Sequence, residues 1–304
     1  MTGTEMPGII QLQCKAAKRN AVFRRAVFGG EPEMRENTKQ SVYGKHRKVL
    51  LVIRLTLLIC LLFSLRPYAA YKDQWVSKKG KYYYYDASGK QLKGRRKIND
   101  RFYYLDSKGV QRTGWRKVGK KYYFFRTRNG KDGYMRANTT VNGVKLNKDG
   151  SAKLTSRSKR KLKILIKCQK ILDSVAAPGA SREKKLSRAF EYAKSRFRAR
   201  NIGGFSAGGD WDMRYAEFML NTGSGDCYCY GAVFAYLATA IGYDNVYACS
   251  SGGHGWCRIG SRYYDPNWAR VIGTAKCFGA ARGESGRNGR PHWAAYERYI
   301  KKVS

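Results

Sequence analysis

One cysteine of the chain stands where a thiol could act as a nucleophile. Cys227 follows a Gly-Asp turn and opens a segment whose apolar residues recur every three or four positions, which predicts a helix that ends at Gly242. Ser224 or Asp226 can cap its start. The unpaired backbone amides of a first helical turn favour the thiolate, so the pattern predicts a reactive Cys227, although most cysteines are simply buried.

A histidine and an aspartate downstream could complete this chemistry. The segment 254–268 is typical of two short strands around a Gly-Ser turn. A two-residue turn would pair Trp256 with Asp265 and place His254 two positions further along the same face. Asp265 would then accept a hydrogen bond from His254 Nδ1 and direct the other ring nitrogen toward the thiol of Cys227. A three-residue turn would put the two side chains on opposite faces.

The elements around these residues are predicted to be mainly helical before Cys227 and extended after it. Apolar periodicity predicts amphipathic helices at 161–175, 181–198 and 211–220, a strand at 245–250, and a closing amphipathic helix at 293–302. The basic residues 151–160 are interpreted as a linker.

Three motifs in order resemble the transglutaminase-like superfamily of papain-like cysteine enzymes. They are Gly225-Asp226-Cys227, His254-x-Trp256 and Tyr263-Tyr264-Asp265-Pro266, and the resemblance covers about residues 160–270. It implies an α+β fold with a helical N-terminal part and the nucleophile helix packed on an antiparallel sheet.

The same resemblance implies a role for each residue of the three motifs. Cys227 would be the nucleophile, His254 the general base and acid, and Asp265 the group that orients the histidine. Cys229 lies about 200° around the helix from Cys227 and does not match the nucleophile position. Gly255 departs from the pattern and is expected to leave the histidine strand less stiff.

The cysteines give no sign of a metal site. The chain has eight, and none forms the Cys-x-x-Cys pairs that bind zinc. We therefore expect neither metal nor cofactor. A disulfide such as Cys249 with Cys257 remains open.

Residues 72–154 contain an internal repeat. Aromatic runs such as Lys81-Tyr82-Tyr83-Tyr84-Tyr85 recur with glycines at 89, 109, 130 and 150, spaced by 20, 21 and 20 residues. Each unit is interpreted as an aromatic strand, a turn at the glycine and a second strand. Because one hairpin cannot bury its aromatic face, the units must stack as a solenoid of β-hairpins.

These repeats resemble the cell-wall-binding (choline-binding-type) repeats of Gram-positive surface proteins. That family cages a quaternary ammonium between aromatic rings by cation–π attraction. By this resemblance the candidate wall-ligand residues are Trp75, Tyr83, Tyr103, Trp115 and Tyr123. Arg95 and Met135 replace the intervening tryptophans, so a polysaccharide or an anionic wall polymer is expected rather than choline. A structural spacer is the alternative.

The N-terminal region is typical of an export signal. Residues 1–48 are polar and basic, and Met34 would give a more conventional start. Residues 49–70 follow four basic residues with a short apolar core, which predicts a signal peptide or a signal anchor. Residues 72–154 and 155–304 would then form the repeat module and the transglutaminase-like domain.

The charge distribution favours a wall partner over nucleic acid. The formal net charge is +40, yet residues 201–260 contain five acidic and two basic residues, a net of −3. A nucleic-acid enzyme would concentrate positive charge on its catalytic stretch, so nucleic acid is not expected as a partner and binding through the basic flanks is the weaker alternative.

We interpret the chain as an exported, wall-associated cysteine enzyme that acts on amide bonds through an acyl-enzyme. It would be a peptidase, an amidase or a cross-linking transglutaminase with a protein or peptide substrate, and membrane contact would occur only through the N-terminal apolar segment. A second Cys-His wall-peptidase family is another enzymatic possibility. The alternative from a different class is a non-catalytic adhesin or wall anchor with an enzyme-like scaffold.

Overall fold

The structure, a computed structural model, describes residues 49–56 and 71–304 of two compact units, Met1–Tyr68 and Ala69–Ser304. In the first unit, residues 49–56 are helical. The predicted basic segment 1–48 and the rest of the predicted signal segment, 57–70, lie outside the described residues. Among the described residues, no helix is long and apolar enough to cross a membrane.

Four antiparallel β-hairpins form the first part of the second unit. Their paired strands are β1 (Gln74–Lys78) with β2 (Lys81–Tyr85), β3 (Gly94–Ile98) with β4 (Arg101–Leu105), β5 (Gly114–Val118) with β6 (Lys121–Phe125), and β7 (Thr140–Val141) with β8 (Val144–Lys145). Asn99 and Asp100 form the turn of the second hairpin with φ values of 45° and 63°, the left-handed geometry that tight hairpins require.

The expected position of the turns within each repeat is wrong. In the first three hairpins the aromatic run is the second strand, and in all four repeats the glycine follows the hairpin instead of forming its turn. In the first repeat the Asp86 carboxylate accepts hydrogen bonds from the backbone amides of Ser88 and Lys90, at 3.0 and 2.9 Å, and Gly89 follows with a φ of 82°. An aspartate whose side chain accepts hydrogen bonds from backbone amides two and four residues further on stabilises a turn, and this turn connects the two hairpins.

The second part of this unit combines helices with one larger sheet. The helices are α1 (Ser156–Val175), α2 (Arg182–Arg196), α3 (Trp211–Thr222), α4 (Cys227–Ile241), α5 (Ala269–Ile272) and α6 (Thr274–Cys277). The strands are β9 (Arg198–Ala199), β10 (Ser224–Gly225), β11 (Val246–Ser250), β12 (Gly255–Ile259), β13 (Arg262–Tyr264), β14 (Phe278–Ala281) and β15 (Tyr299–Lys302), and 3-10 turns lie at Gly130–Asp132 and Arg282–Glu284.

Five of these strands form an antiparallel sheet in the order β14-β13-β12-β11-β15, and β9 pairs in parallel with β10. Helix α4 packs against this sheet and is buried on all sides from Tyr228 to Ile241. A helix that is apolar all round belongs in a core. The chain therefore has a mixed helical and antiparallel architecture, with a central helix that begins at Cys227.

Two expected elements are wrong. Residues 156–160 are the first turn of α1 instead of a linker, because the Thr155 side chain caps the helix by accepting from the Ser158 amide at 3.1 Å. The tail predicted as a helix at 293–302 instead supplies β15, which pairs with β11. Without the tail, β11 would be an open sheet edge, and pairing satisfies its backbone groups.

The third and fourth hairpins share the hydrophobic core of the second part, whereas the first two hairpins form a smaller cluster of their own. Trp115 of β5 is 0 % exposed and packs in the same cluster as Leu162 and Leu165 of α1. Beside it, Arg116 makes a bidentate ion pair with Asp173 of α1. The boundary expected at 154/155 therefore falls within a continuous packed unit.

Candidate active site

Cys227 is the first residue of α4, and its thiol is the only partly exposed one among the described cysteines. Asp226, one of the two predicted caps, accepts hydrogen bonds from the backbone amides of Tyr228 and Cys229 at 3.1 and 3.3 Å. Burial raises the pKa of the Cys229 thiol, which keeps that thiol neutral. Within the described part of the chain, one partly exposed cysteine thus lies at a helix N-terminus.

The β12–β13 hairpin brings His254 and Asp265 together. Cys257 pairs with Tyr264 and Ile259 with Arg262, which is the register of the predicted two-residue turn. His254 Nε2 lies 2.6 Å from Asp265 Oδ2. The expected use of Nδ1 is wrong, because Asp265 lies beyond the end of β13 and the more distant ring nitrogen reaches it.

Asp265 is fully buried, and each of its oxygens has a donor. Oδ2 accepts from His254 and from the indole N–H of Trp293 at 3.0 Å, while Oδ1 accepts from the backbone amide of Trp268 at 2.9 Å. These bonds fix the carboxylate in one orientation. The sequence pattern does not predict the role of Trp293. It lies 28 residues from Asp265, and an isolated tryptophan in a Gly- and Arg-rich tail carries no pattern that points to the site.

The His254 imidazole is charged at neutral pH. Burial opposes the charge, but the charge and hydrogen bond of Asp265, together with a hydrogen bond to the Cys227 thiol, outweigh it and raise the pKa of His254 to about 10. Since Nε2 is committed to Asp265, Nδ1 is the ring nitrogen left for the thiol. The site therefore combines a cysteine at the start of a helix with a histidine that a buried carboxylate orients.

Two glycines set the distance between α4 and the strand that follows His254. A Cβ at Gly255 would lie 2.6 Å from Tyr228 Cα, and a Cβ at Gly231 would lie 2.6 Å from the Trp256 backbone nitrogen. Neither contact can be accommodated without moving the backbone. Gly255 therefore does more than the sequence predicts, because it lets β12 lie directly against Tyr228, the residue next to Cys227.

The turn before His254 is tied to the same end of α4. The Tyr228 hydroxyl donates to the Gly252 carbonyl at 2.7 Å, and the His254 amide donates to the Ser251 hydroxyl at 2.9 Å. Both the turn and the strand that carry His254 are thus held against the start of the cysteine helix.

A cavity of about 270 Å3 opens on one side of the histidine. Its lining is mostly apolar and includes His254, Trp256, Trp268, Trp293 and Tyr296. Cys227 lies outside that lining set. A cavity of this kind favours an apolar or aromatic group as its occupant.

The six described cysteines are free thiols. Cys249 faces Trp256 across the β11–β12 pair, while Cys257 faces Ala248, so the two cysteine side chains lie on opposite faces of the sheet. The bridge that the sequence left open is therefore not formed. Among the described residues, no group of three or more His, Cys, Asp or Glu side chains could hold a metal ion.

The five candidate wall-ligand residues do not form one site. Trp75 and Tyr83 are half-buried, and the ring centroid of Trp75 lies 4.9 Å from that of Tyr103. Tyr103 and Tyr123 are buried. Trp115 is fully buried in the core, and its indole N–H donates to the Asn142 side chain at 2.9 Å.

Comparisons with known proteins bear on the hairpins. Residues 73–90 match the family model described as "Putative cell wall binding repeat". This match confirms the prediction of a cell-wall-binding repeat in the first hairpin. The transglutaminase-like fold of the second part stays a prediction.

Several solved structures are similar to part of the chain. Choline binding protein F from Streptococcus pneumoniae, determined with a peptidoglycan analogue, is 30% identical over 27% of this chain and 26% of that chain, with a TM-score of 0.24. The choline binding domain of Spr1274 from the same species is 28% identical over 26% of this chain and 93% of that chain, with a TM-score of 0.23. CbpJ from Streptococcus pneumoniae TIGR4 is 27% identical over 26% of this chain and 28% of that chain, with a TM-score of 0.23.

The chain spans about a quarter of the length of choline binding protein F and of CbpJ. TM-scores this far below 0.5 do not define the fold of the chain. A comparison with curated proteins finds no match.

Proposed function

We propose that this chain is a cell-wall-binding protein. The observation that carries the proposal is the match of residues 73–90 to a cell-wall-binding repeat, within a series of four hairpins. The net charge of +40 supports an anionic wall as the surface that is bound. These observations favour the wall-binding function, without catalysis, over a cysteine enzyme.

Co-sedimentation with purified Gram-positive cell walls tests this function. The full-length protein should pellet with intact walls, and a smaller fraction of it should pellet with walls from which the anionic polymers have been extracted. Deletion of the hairpins is a poor test, because Trp115 belongs to the core of the second part. A protein that stays in the supernatant with every wall preparation would refute the proposal.

We propose as a second function that the second part of this unit, which contains Cys227, His254 and Asp265, acts on amide bonds. The specific observation in its favour is the 2.6 Å contact of the His254 imidazole with the buried carboxylate of Asp265, together with the contribution of Cys227 to the raised pKa of that imidazole. A chain that only anchors to the wall needs no accessible thiol beside a charged histidine.

The reaction would proceed in two steps. The Cys227 sulfur forms a bond to the amide carbonyl carbon, and the C–N bond breaks as the His254 imidazolium gives its proton to the departing amine. Water, or an amine that loses its proton to His254, then attacks the thioester and releases the thiol. The Cys227 backbone amide, at the first helical position, is the natural donor to the oxyanion. Hydrolysis is favoured because water is always present.

Thiol labelling tests the second function. The full-length protein is treated with iodoacetamide near neutral pH, and the alkylated cysteines are quantified by mass spectrometry. Cys227 should react fastest, and His254→Ala should slow that reaction. Cys229 is the internal control, since its thiol is buried. Labelling of Cys227 no faster than that of Cys229, unchanged by the mutation, would leave wall binding as the only function.

A further inference from the structure

Three basic side chains line a cavity of about 510 Å3 beside the second hairpin. They are Arg95, Arg101 and Lys148, and Phe102 and Tyr134 supply aromatic surface in the same lining. Its other members are Asp100, Met135, Ala137 and Asp149. The cavity thus combines a cationic and an aromatic wall, and the candidate ligand residues of the repeat pattern do not include any of its lining.

The arginines of this cavity are held by rings instead of carboxylates. The Arg95 guanidinium carbon lies 4.0 Å from the Phe102 centroid and 4.7 Å from the Tyr123 centroid, and that of Arg101 lies 4.3 Å from the Tyr134 centroid. Stacking engages the faces of a guanidinium and leaves the N–H groups at its edge. Arg95 Nε is buried and has no hydrogen-bond partner among the described residues.

The two carboxylates of the cavity have partners of their own. Asp100 pairs with Lys97 at 2.8 Å, and Asp149 pairs with Lys121 at 3.0 Å. Within the described part of the chain, neither arginine forms an ion pair with them. Arg95 and Arg101 therefore lie in the cavity lining without a direct carboxylate partner, and an anion in the cavity would gain from both groups.

We propose that this cavity binds a phosphodiester group of an anionic wall polymer, with the edge of Arg95 as the central donor. The proposal rests on the wall-binding function and names its ligand. A tetrahedral phosphate can accept from Arg95, Arg101 and Lys148 from different directions, whereas a planar carboxylate presents fewer directions. A quaternary ammonium would have to displace the Arg95 guanidinium from the faces of Phe102 and Tyr123 on which it stacks.

Calorimetric titration of the full-length protein with a glycerol phosphate oligomer tests the proposal. Arg95→Gln should weaken binding about tenfold, the loss of one charged hydrogen-bonding group. Arg96→Gln is the matched control, because Arg96 is the next residue of the same strand, is exposed and lies outside the cavity lining. It should weaken binding less than about twofold. If Arg95→Gln fails to fold, Arg101→Gln, which removes an exposed arginine, takes its place with the same expectation.

Other outcomes would overturn the proposal. Equal losses in the Arg95 and Arg96 variants would show that net charge alone binds the oligomer. If polyglutamate binds as tightly and its binding depends on Arg95 in the same way, the cavity accepts any anion and is not specific for phosphate. If single-stranded DNA binds in that way, the partner is a nucleic acid. Wall co-sedimentation without binding of the oligomer would refute this site and leave the wall-binding function standing. Absence of co-sedimentation would refute the function itself.

Discussion

Gly255→Ala should lower the reactivity of the Cys227 thiol, although it leaves Cys227 itself unchanged. The added Cβ would lie 2.6 Å from Tyr228 Cα and 3.0 Å from its backbone nitrogen, so β12 must move by at least 0.8 Å to reach an ordinary 3.4 Å contact. That movement carries His254 away from Cys227. A misplacement of about 1 Å between reacting groups costs about 100-fold in rate. Overpacking at this site should also cost about 1–3 kcal/mol of the free energy of unfolding.

The assay is the second-order rate of iodoacetamide alkylation at Cys227, measured beside urea denaturation. Gly253→Ala is the matched control, since its nearest neighbour would be the Ser251 hydroxyl oxygen at 3.9 Å, an ordinary contact. The control should keep the rate and the stability of the unchanged protein. A folded Gly255→Ala variant that alkylates at the original rate would refute the reasoning that this close contact positions the histidine.

Three further predictions concern the charged groups. The pKa of His254 is raised from its ordinary 6.5 to about 10, so the proton on His254 stabilises the fold fully below about pH 6.5, and this stabilisation is lost as the pH rises through about 10. Urea titrations across that range should show the free energy of unfolding decline, and the His254→Ala variant should lack this decline. Trp293→Phe removes one hydrogen-bond donor from the buried carboxylate of Asp265, so it should lower the free energy of unfolding by about 1.5–3 kcal/mol and slow the alkylation of Cys227. Stability and alkylation rate equal to those of the unchanged protein would show that the indole N–H has no role. Asp173→Asn removes the acidic partner of the half-buried Arg116 and should destabilise the protein in urea by about 1 kcal/mol, an effect that Asp244→Asn, which changes an exposed aspartate, should not reproduce.

The local parts of the candidate site could be predicted from the sequence. The apolar period after Cys227 defines a helix, and the Gly-Ser turn defines the strand register that sets His254 near Asp265. Both depend on interactions between residues close in the chain. The choice of ring nitrogen could not be predicted, because it depends on side-chain reach across the hairpin.

The long-range parts could not be predicted. Trp293 reaches Asp265 only because β15 returns the tail to the free edge of β11. Aromatic residues at 293, 296 and 299 repeat every three positions, which favours a helix when the open edge is unknown. Tertiary pairing overrides such a local preference.

Burial decides which aromatic residues of the repeats can contact a wall polymer. Trp115 occupies a ligand position in the repeat pattern, yet it packs on α1 and is enclosed, whereas Trp75 of the first hairpin stays half-buried. In the second repeat, Arg95 stands at the position equivalent to Trp75 and Trp115 and stacks on the rings of Phe102 and Tyr123. Since no carboxylate pairs with this guanidinium among the described residues, the proposed ligand at this position is an anion.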